Sequence, residues 1–253
     1  MPTEDVRSGH RVRLMWVKRQ IRPLLSSRAF GRVVGALTRH RVRNRGLVFD
    51  TTGWNPRAEA MLAFRMYESA EIRFVRRFLR GTQTAIELGG SLGVAGSHLL
   101  SVMRQPGSLT CVEANGRLIP LLERALRNHA SGAQVVVLHA AVADSEQVLL
   151  RVGESDLASR IAVHGVSTPG LSLAAIVASA GYLDYHLLSD IEGAEASFIL
   201  GGAGLERCSR MVIELHDTVY RGRVITADDM LRALERHRFR LLDRYGNVCA
   251  LAR

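Results

Sequence analysis

The chain has 253 residues, a formal net charge of +10 and three cysteines. Its 34 basic residues include a single lysine, Lys18, so a P-loop, a tyrosine–lysine dehydrogenase pair and a lysine Schiff base have no lysine to use in the body of the chain. Cys111, Cys208 and Cys249 lie far apart without a C-x-x-C pair, which excludes a zinc ribbon or disulfide scaffold and fits a reducing, cytoplasmic compartment. The length suits one large α/β domain with an N-terminal extension. No run reaches the ~18 apolar residues of a membrane span, and no signal-peptide core is expected.

The charge is unevenly spread. Residues 1–45 hold 12 Lys or Arg and 2 acids, whereas residues 46–253 hold 22 of each. This predicts a basic arm over 1–45 and a balanced main domain over 46–253. Within the arm, Leu14, Val17, Ile21 and Leu24 recur at helical spacing among Arg13, Lys18, Arg19 and Arg22. Such a helix either lies on an anionic membrane, placing the protein peripherally on the inner face, or packs its stripe on the main domain. The arm has few interleaved aromatics, Trp16 and Phe30, which argues against nucleic acid.

Beyond the arm, Ala60–Leu79 reads as one helix. A strand is expected at Thr84–Leu88, a helix at Val94–Met103, a strand at Ser108–Val112, a helix at Leu118–Asn128 and a strand at Gln134–Val142. Short strands or a loop follow, Val148–Val152 being the clearest. Next come helix Leu173–Ala180, strand Leu187–Ile191, helix Ala194–Leu200 and strand Arg210–Leu215. Helix Thr226–His237 opens on a capping box, Thr226 with Asp229. The chain ends in a hairpin, Phe239–Asp243 and Val248–Ala252, turning at Gly246-Asn247. Alternating strands and helices predict a doubly wound, mostly parallel Rossmann-like sheet whose last strand is antiparallel.

The densest chemical signal is Thr84-Ala-Ile-Glu-Leu-Gly-Gly-Ser-Leu-Gly93, followed by Cys111-Val-Glu113. A buried strand that ends in a glycine turn binds a nucleoside-bearing cofactor, and the next strand supplies an acid for the ribose. Ser91 stands where a dinucleotide fingerprint needs its second glycine. The pattern is instead Glu87-x-Gly89-x-x-x-Gly93, and the acid suits the cationic amino group of S-adenosylmethionine rather than a pyrophosphate. Glu87, Gly89, Gly90, Ser91, Gly93 and Glu113 are thus the expected cofactor contacts. Ala114, after Glu113, and Ala141, at the end of the third strand, complete the set.

These segments, with Asp190-Ile-Glu-Gly-Ala-Glu195, Glu214-Leu-His216 and Asn128 at the close of the helix Leu118–Asn128, resemble the FkbM family of S-adenosylmethionine-dependent methyltransferases. The likeness spans roughly residues 67–217. It implies the methyltransferase fold, a seven-stranded sheet with the last strand antiparallel, and O-methyl transfer to a sugar, glycan, glycolipid or secondary-metabolite hydroxyl. The chain departs from the family's pattern at Glu87, Gly90-Ser91, Ala114, Ala174 and Leu188. The last two touch the acceptor side, which keeps a catalytically silent cofactor-binding protein open beside an RNA methyltransferase using the basic arm.

Methyl transfer to oxygen needs a base for the hydroxyl proton. Asp190 and His216 are the candidate catalytic pair, at the ends of adjacent strands. Asp190 also counts among the cofactor contacts, and with Asp217 it is the alternative set for Mg²⁺. The acceptor is expected to be a small molecule or glycan, and a homo-oligomer stays open.

Overall fold

The computed structural model describes residues 27–153, 159–162 and 164–253. The stripe Leu14, Val17, Ile21 and Leu24 lies outside them. Contacts divide the chain into two compact units that meet in sequence at Tyr67 and Glu68. Among the described residues no helix is long and apolar enough to cross a membrane.

The described part of the first unit contains helix α1 (Arg28–Thr38), hairpin strands β1 (Arg41–Asn44) and β2 (Leu47–Asp50), and helix α2 (Pro56–Ala63). Gly31 and Gly35 share one face of α1. A Cβ at Gly31 would lie 2.1 Å from the Pro56 carbonyl oxygen, so the absent side chains let the two helices touch. Glu59 is buried there, accepting from Thr51 Oγ1 and standing 3.1 Å from His40 Nδ1. The single helix expected over Ala60–Leu79 is two helices. Arg65 and Glu68 take left-handed φ values of 57° and 44°, which break the run between α2 and α3 (Ser69–Phe78).

The second unit is built on a seven-stranded sheet. Its strands are β3 (Thr84–Leu88), β4 (Ser108–Glu113), β5 (Gln134–His139), β10 (Tyr185–Ser189), β11 (Cys208–Glu214), β14 (Arg240–Tyr245) and β15 (Val248–Ala252). They lie in the order β14-β15-β11-β10-β3-β4-β5, and only β15 runs antiparallel to its neighbours. This is the expected Rossmann-like sheet. The chain leaves β3 toward one edge and β10 toward the other, so the fork between them is the topological switch point.

Both faces are covered, which is why the central strands read as near-continuous apolar runs. Side chains alternate between two cores. Ile86, Leu187, Met211 and Ile213 pack toward α6 (Leu173–Ala180), α7 (Glu195–Ile199) and α8 (Ala227–Arg236). Ala85, Cys111, Leu188 and Val212 pack toward α3, α4 (Val94–Leu100) and α5 (Ile119–His129). All three cysteines are buried and none is in a disulfide. The capping box at α8 is present: Thr226 Oγ1 accepts from Asp229 N, and Asp229 Oδ2 accepts from Thr226 N.

The strand expected over Gln134–Val142 breaks at Ala140. Its last two residues form β6 (Ala141–Val142) in a separate four-stranded sheet with β7 (Gln147–Val152), β8 (Ser159–Ile161) and β9 (Val166–Leu171). A small hairpin, β12 (Thr218–Tyr220) with β13 (Arg223–Ile225), leaves the carboxyl end of β11.

The switch point depends on one residue without a side chain. Gly89 has φ of 85°, and a Cβ there would sit 1.9 Å from the Asp190 carbonyl oxygen. Gly132 has φ of 92° with nothing within 4 Å. Gly132→Ala should therefore cost about 1–2 kcal/mol from the left-handed backbone alone. Gly89→Ala should cost about 3 kcal/mol or more, because the clash adds to it. Urea unfolding of the two variants checks this, and equal losses would mean that the loop relaxes freely away from Asp190.

Candidate active site at the carboxyl edge of the sheet

The loop after β3 is laced to the neighbouring strands. Gly89 N and Gly90 N both donate to Val112 O, at 2.8 and 3.1 Å, and Asp190 N donates to Leu88 O at 2.9 Å. Ser91, at φ of 47°, donates its N–H to Glu113 Oε2 at 2.8 Å, while Asn115 N donates to Glu113 Oε1 at 2.6 Å. Glu113 is only 6% exposed. Burial pushes its carboxyl up, and bonds from the Asn115, Ser91 and Ala114 amides pull it back. The acid at the end of β4 is therefore rigidly aimed. A carboxylate has about four acceptor sites, so three amides leave room for a ribose hydroxyl.

Not every residue of the glycine turn faces a ligand. A Cβ at Gly90 would meet Cys111 Sγ and Leu122, and one at Gly93 would meet Ala125 and Leu122. These two glycines serve close packing of the turn and α4 against α5. Glu87 departs most from expectation. Strand alternation turns its side chain into the core under α4. There it accepts from Cys111 Sγ at 3.1 Å, bonds the Gly96 amide, and is 2% exposed. Burial raises its carboxyl to about 8. It is thus a buried core acid and not a free partner for an ammonium group. Gly96 is what makes space for it, since a Cβ there would lie 2.1 Å from Glu87 Oε2.

Ala114 is at the loop end, where its carbonyl meets His139 Nε2 at 3.2 Å; His139 also lies over Gly116. Ala141 is buried in β6, paired with Gly170 of β9. Asp144, on the turn after β6, accepts from Tyr220 OH at 2.7 Å and from Arg221 Nη2 at 3.1 Å.

Across the switch point, carboxylates converge on one imidazole. Asp190 Oδ1, Glu192 Oε2 and Glu214 Oε1 each stand 3.9 Å from His216 Nε2, and Glu195 Oε1 is 3.2 Å from His216 Nδ1. The expected pair, Asp190 and His216, is thus brought together within a larger group. Glu195 is fully buried and also accepts from Ile191 N and Gly193 N. It fixes the loop after β10 and the imidazole ring at once. In the sequence it stood only as the last residue of the Asp190–Glu195 segment, with no role of its own. Its signal was the spacing of an acid two residues beyond a glycine at a strand exit, but only the return of His216 from β11 shows the pairing.

The crowding sets the protonation. Burial raises the Asp190 carboxyl, and the Glu214, Glu192 and Glu195 carboxylates add to it, to about 8. Burial also raises Glu214 to about 7, helped by Glu71, which shares a hydrogen bond with it. Burial alone would lower His216, but the bond to Glu195 and the charges of Glu195, Asp190 and Glu214 outweigh it and raise the ring to about 9. At neutral pH the ring is an imidazolium, the internal counter-ion of the cluster.

Among the described residues, Asp190, Glu192 and His216 offer ligand atoms within 4.8 Å of one another. The set does not suit Mg²⁺, which prefers an octahedron of oxygens. Asp217 is not part of it: its Oδ1 accepts from Ala227 N at 2.8 Å at the start of α8.

No family model matches the chain, and no curated protein matches it. Solved structures with a similar fold include an uncharacterized protein from Listeria monocytogenes serotype 4b, at 10% identity and TM-score 0.44, covering 72% of this chain and 66% of that one. Sp1610 of Streptococcus pneumoniae in complex with S-adenosyl-L-methionine follows at 12% identity and TM-score 0.42, covering 73% and 71%. Precorrin-6y C5,15-methyltransferase from Geobacter metallireducens GS-15 is similar at 13% identity and TM-score 0.38, covering 72% and 84%. At these identities and TM-scores, none of the three says what this chain binds or does.

Glu87 gives a test of the buried arrangement. Its folded pKa, about 8, is raised above the ordinary 4.5. Its contribution to stability is therefore whole in acid and is lost as the pH rises through that window. Glu87→Gln removes the titration. Urea unfolding at several pH values should show the variant gaining on the wild type from pH 5 to pH 8. A constant difference would place Glu87 in a solvated environment.

Proposed function

We propose that the chain is an S-adenosylmethionine-dependent methyltransferase that carries a methyl group to the hydroxyl oxygen of a small acceptor. The observation that carries this reading is the convergence of Asp190, Glu192 and Glu214 on His216, across the switch point from the pinned carboxylate of Glu113. Doubly wound sheets take ligands in the crevice at this fork.

Glu113 supports a nucleoside: an aimed, nearly buried acceptor suits the two hydroxyls of a ribose. The acid cluster supports a cation. Like charges held this close favour a ligand that carries positive charge, and the cofactor has two such centres, an ammonium and a sulfonium. When bound, it supplies a methyl on cationic sulfur; as the acceptor oxygen bonds that carbon, the sulfur–carbon electron pair stays on sulfur, leaving S-adenosylhomocysteine.

The remaining work belongs to the side chains. The acceptor hydroxyl must lose its proton, and the cluster is the acceptor for it. Because His216 is cationic at neutral pH, it serves as base only after giving up its own proton. Asp190, raised to about 8, likewise becomes a base only as it loses its proton, and it does so before the ring. Its Oδ1 is shut from solvent and, among the described residues, lacks a hydrogen-bond partner. Glu195 is a positioning residue that holds the ring through Nδ1 and leaves Nε2 facing the carboxylates.

Two measurements test the reading. Calorimetry with S-adenosylhomocysteine should show binding that Glu113→Ala weakens by about 1.5–3 kcal/mol, the worth of a hydrogen bond to a charged group. Absence of wild-type binding at millimolar ligand would reject the cofactor. For catalysis, kcat/KM should rise with pH between 6 and 9, as Asp190, Glu214 and His216 release their protons. His216→Asn should lower turnover about 10²–10⁴-fold with little change in S-adenosylhomocysteine affinity. A flat pH profile would remove the cluster from proton transfer.

A further inference from the structure

Next to the acid cluster lies a cavity of about 710 Å³ that the cofactor contacts do not use. The small sheet contributes Val142, Val148 and Ile161 to its wall, and hairpin β12–β13 contributes Val219 and Val224. Its floor is the loop from Glu192 into α7, where Gly193 lies against Thr218, 3.0 Å from a Cβ built at Gly193 to Thr218 Oγ1. The volume falls within the roughly 300–1,000 Å³ of sites that hold drug-sized molecules.

Two features of the wall say what it takes. Val219 and Val224 are 70% and 72% exposed, and Ile161 is 47% exposed. Apolar side chains left this open around a concavity mark a surface that a ligand covers. The charges point the same way. Asp144, Glu192 and Asp217 line the cavity, and its one cation among the described residues is Arg221. That guanidinium is engaged by Asp144 at 3.1 Å and lies over the Tyr220 ring, 5.2 Å from its centroid. Among the described residues nothing in the wall is left to neutralise a carboxylate or phosphate, and Glu192 and Asp217, the two lining acids not paired with Arg221, would repel one.

The cavity is also continuous with the chemistry. Glu192 lines it and stands within ligand-atom distance, 4.8 Å, of Asp190 and His216. A hydroxyl entering at the Glu192 end would meet the proton acceptors while the rest of the molecule lay between the valines.

We propose that this cavity is the acceptor site and that it takes a small alcohol or phenol with an uncharged, apolar body. The inference rests on the methyl-transfer reading and narrows it: an apolar acceptor is favoured over a phosphorylated sugar or a polynucleotide. The cavity selects by apolar contact and by repulsion of anions, so both an attractive and an excluding element are present.

The full-length protein can be titrated by calorimetry with two probes of one shape. 2-Naphthol is neutral; 6-hydroxy-2-naphthoate adds a carboxylate to the same rings. The wild type should bind 2-naphthol at least about tenfold more tightly than the naphthoate, the two being separated by an unpaired charge near acids. Val224→Arg, at an exposed hairpin position that tolerates the change, should weaken 2-naphthol about tenfold by placing a charge in the apolar wall, and should narrow or reverse the preference. Leu183→Arg, at another exposed apolar position outside the wall, should change neither. Failure to bind 2-naphthol, indifference to Val224→Arg, or tighter binding of the naphthoate or of a polyuridylate strand by the wild type would each overturn the proposal. S-Adenosylhomocysteine binding measured on the same variants keeps the two readings apart. Its absence with naphthol binding intact would reject the cofactor and leave the apolar pocket standing. Its presence without naphthol binding would do the reverse.

Discussion

The carbonyl oxygen of Asp190 leaves no room for a side chain at Gly89. That contact closes the fork between β3 and β10, and the geometry of the edge follows from it. Because β3 feeds β4 on one side and β10 feeds β11 on the other, a close approach here brings four strand ends to one place. The Glu113 carboxylate is pinned to Ser91 on one flank. Asp190, Glu214 and His216 gather on the other. A wider gap would separate the Glu113 carboxylate from the Asp190, Glu214 and His216 cluster. The conformational freedom of one glycine, at φ of 85°, is thus a positional requirement of the site rather than a property of a turn.

Carboxylates crowded on one imidazole are costly unless their charge is reduced. Two unit charges 4 Å apart in a protein environment interact by about 4 kcal/mol at an effective dielectric near 20, while one pKa unit is worth about 1.4 kcal/mol. Holding a proton is then cheaper than holding another charge. Burial raises Asp190 and Glu214 and the neighbouring carboxylates add to it, while the carboxylates outweigh the opposite effect of burial on His216, so all three shift upward together. The cluster is a proton store at neutral pH. Such a store is linked to any cation that binds beside it: positive charge from a ligand favours release of protons, and release of protons favours the ligand. For the proposed reaction, cofactor binding and readiness to accept a hydroxyl proton are in this way two sides of one equilibrium.

Much of the sheet was legible because its strands are buried on both faces and therefore continuous in sequence. Thr84–Leu88 and Leu173–Ala180 match the reading residue for residue, and the terminal hairpin and the α8 cap follow their turn and capping residues. Boundaries failed where backbone conformation, not hydrophobicity, decided. Arg65 and Glu68 end a run that looks uniformly helical, because non-glycine residues at positive φ carry no composition signal. The site was legible in its positions and less so in its directions. Glu113, Asp190 and His216 stand where a strand end puts them. Glu87 has the right address and the wrong face: counting by twos from Ala85 turns it under α4, and Gly96, nine residues on and third in α4, is the hint of the space it needs. Glu195 was hidden for a different reason, since its partner His216 is 21 residues away in sequence.

The parts of the chain that resisted reading are also those that form the cavity wall. β6 to β9 and the β12–β13 hairpin are short excursions from the sheet, held by few strand pairs and exposed on one side. Their sequences lack a long periodic run because they need not fill a two-sided core. The sheet body, by contrast, is constrained at nearly every position by packing and offers a fork that could serve many acceptors. The proposed acceptor site thus places specificity on the elements under the weakest folding constraint, where a valine can be exchanged without unmaking the fold. The exposed Val219 and Val224 fit that division: they contribute little to the core and present their surface to the cavity beside the cluster. In the proposed reaction, fold and chemistry are set at the fork, and the choice of molecule is set by the loops beside it.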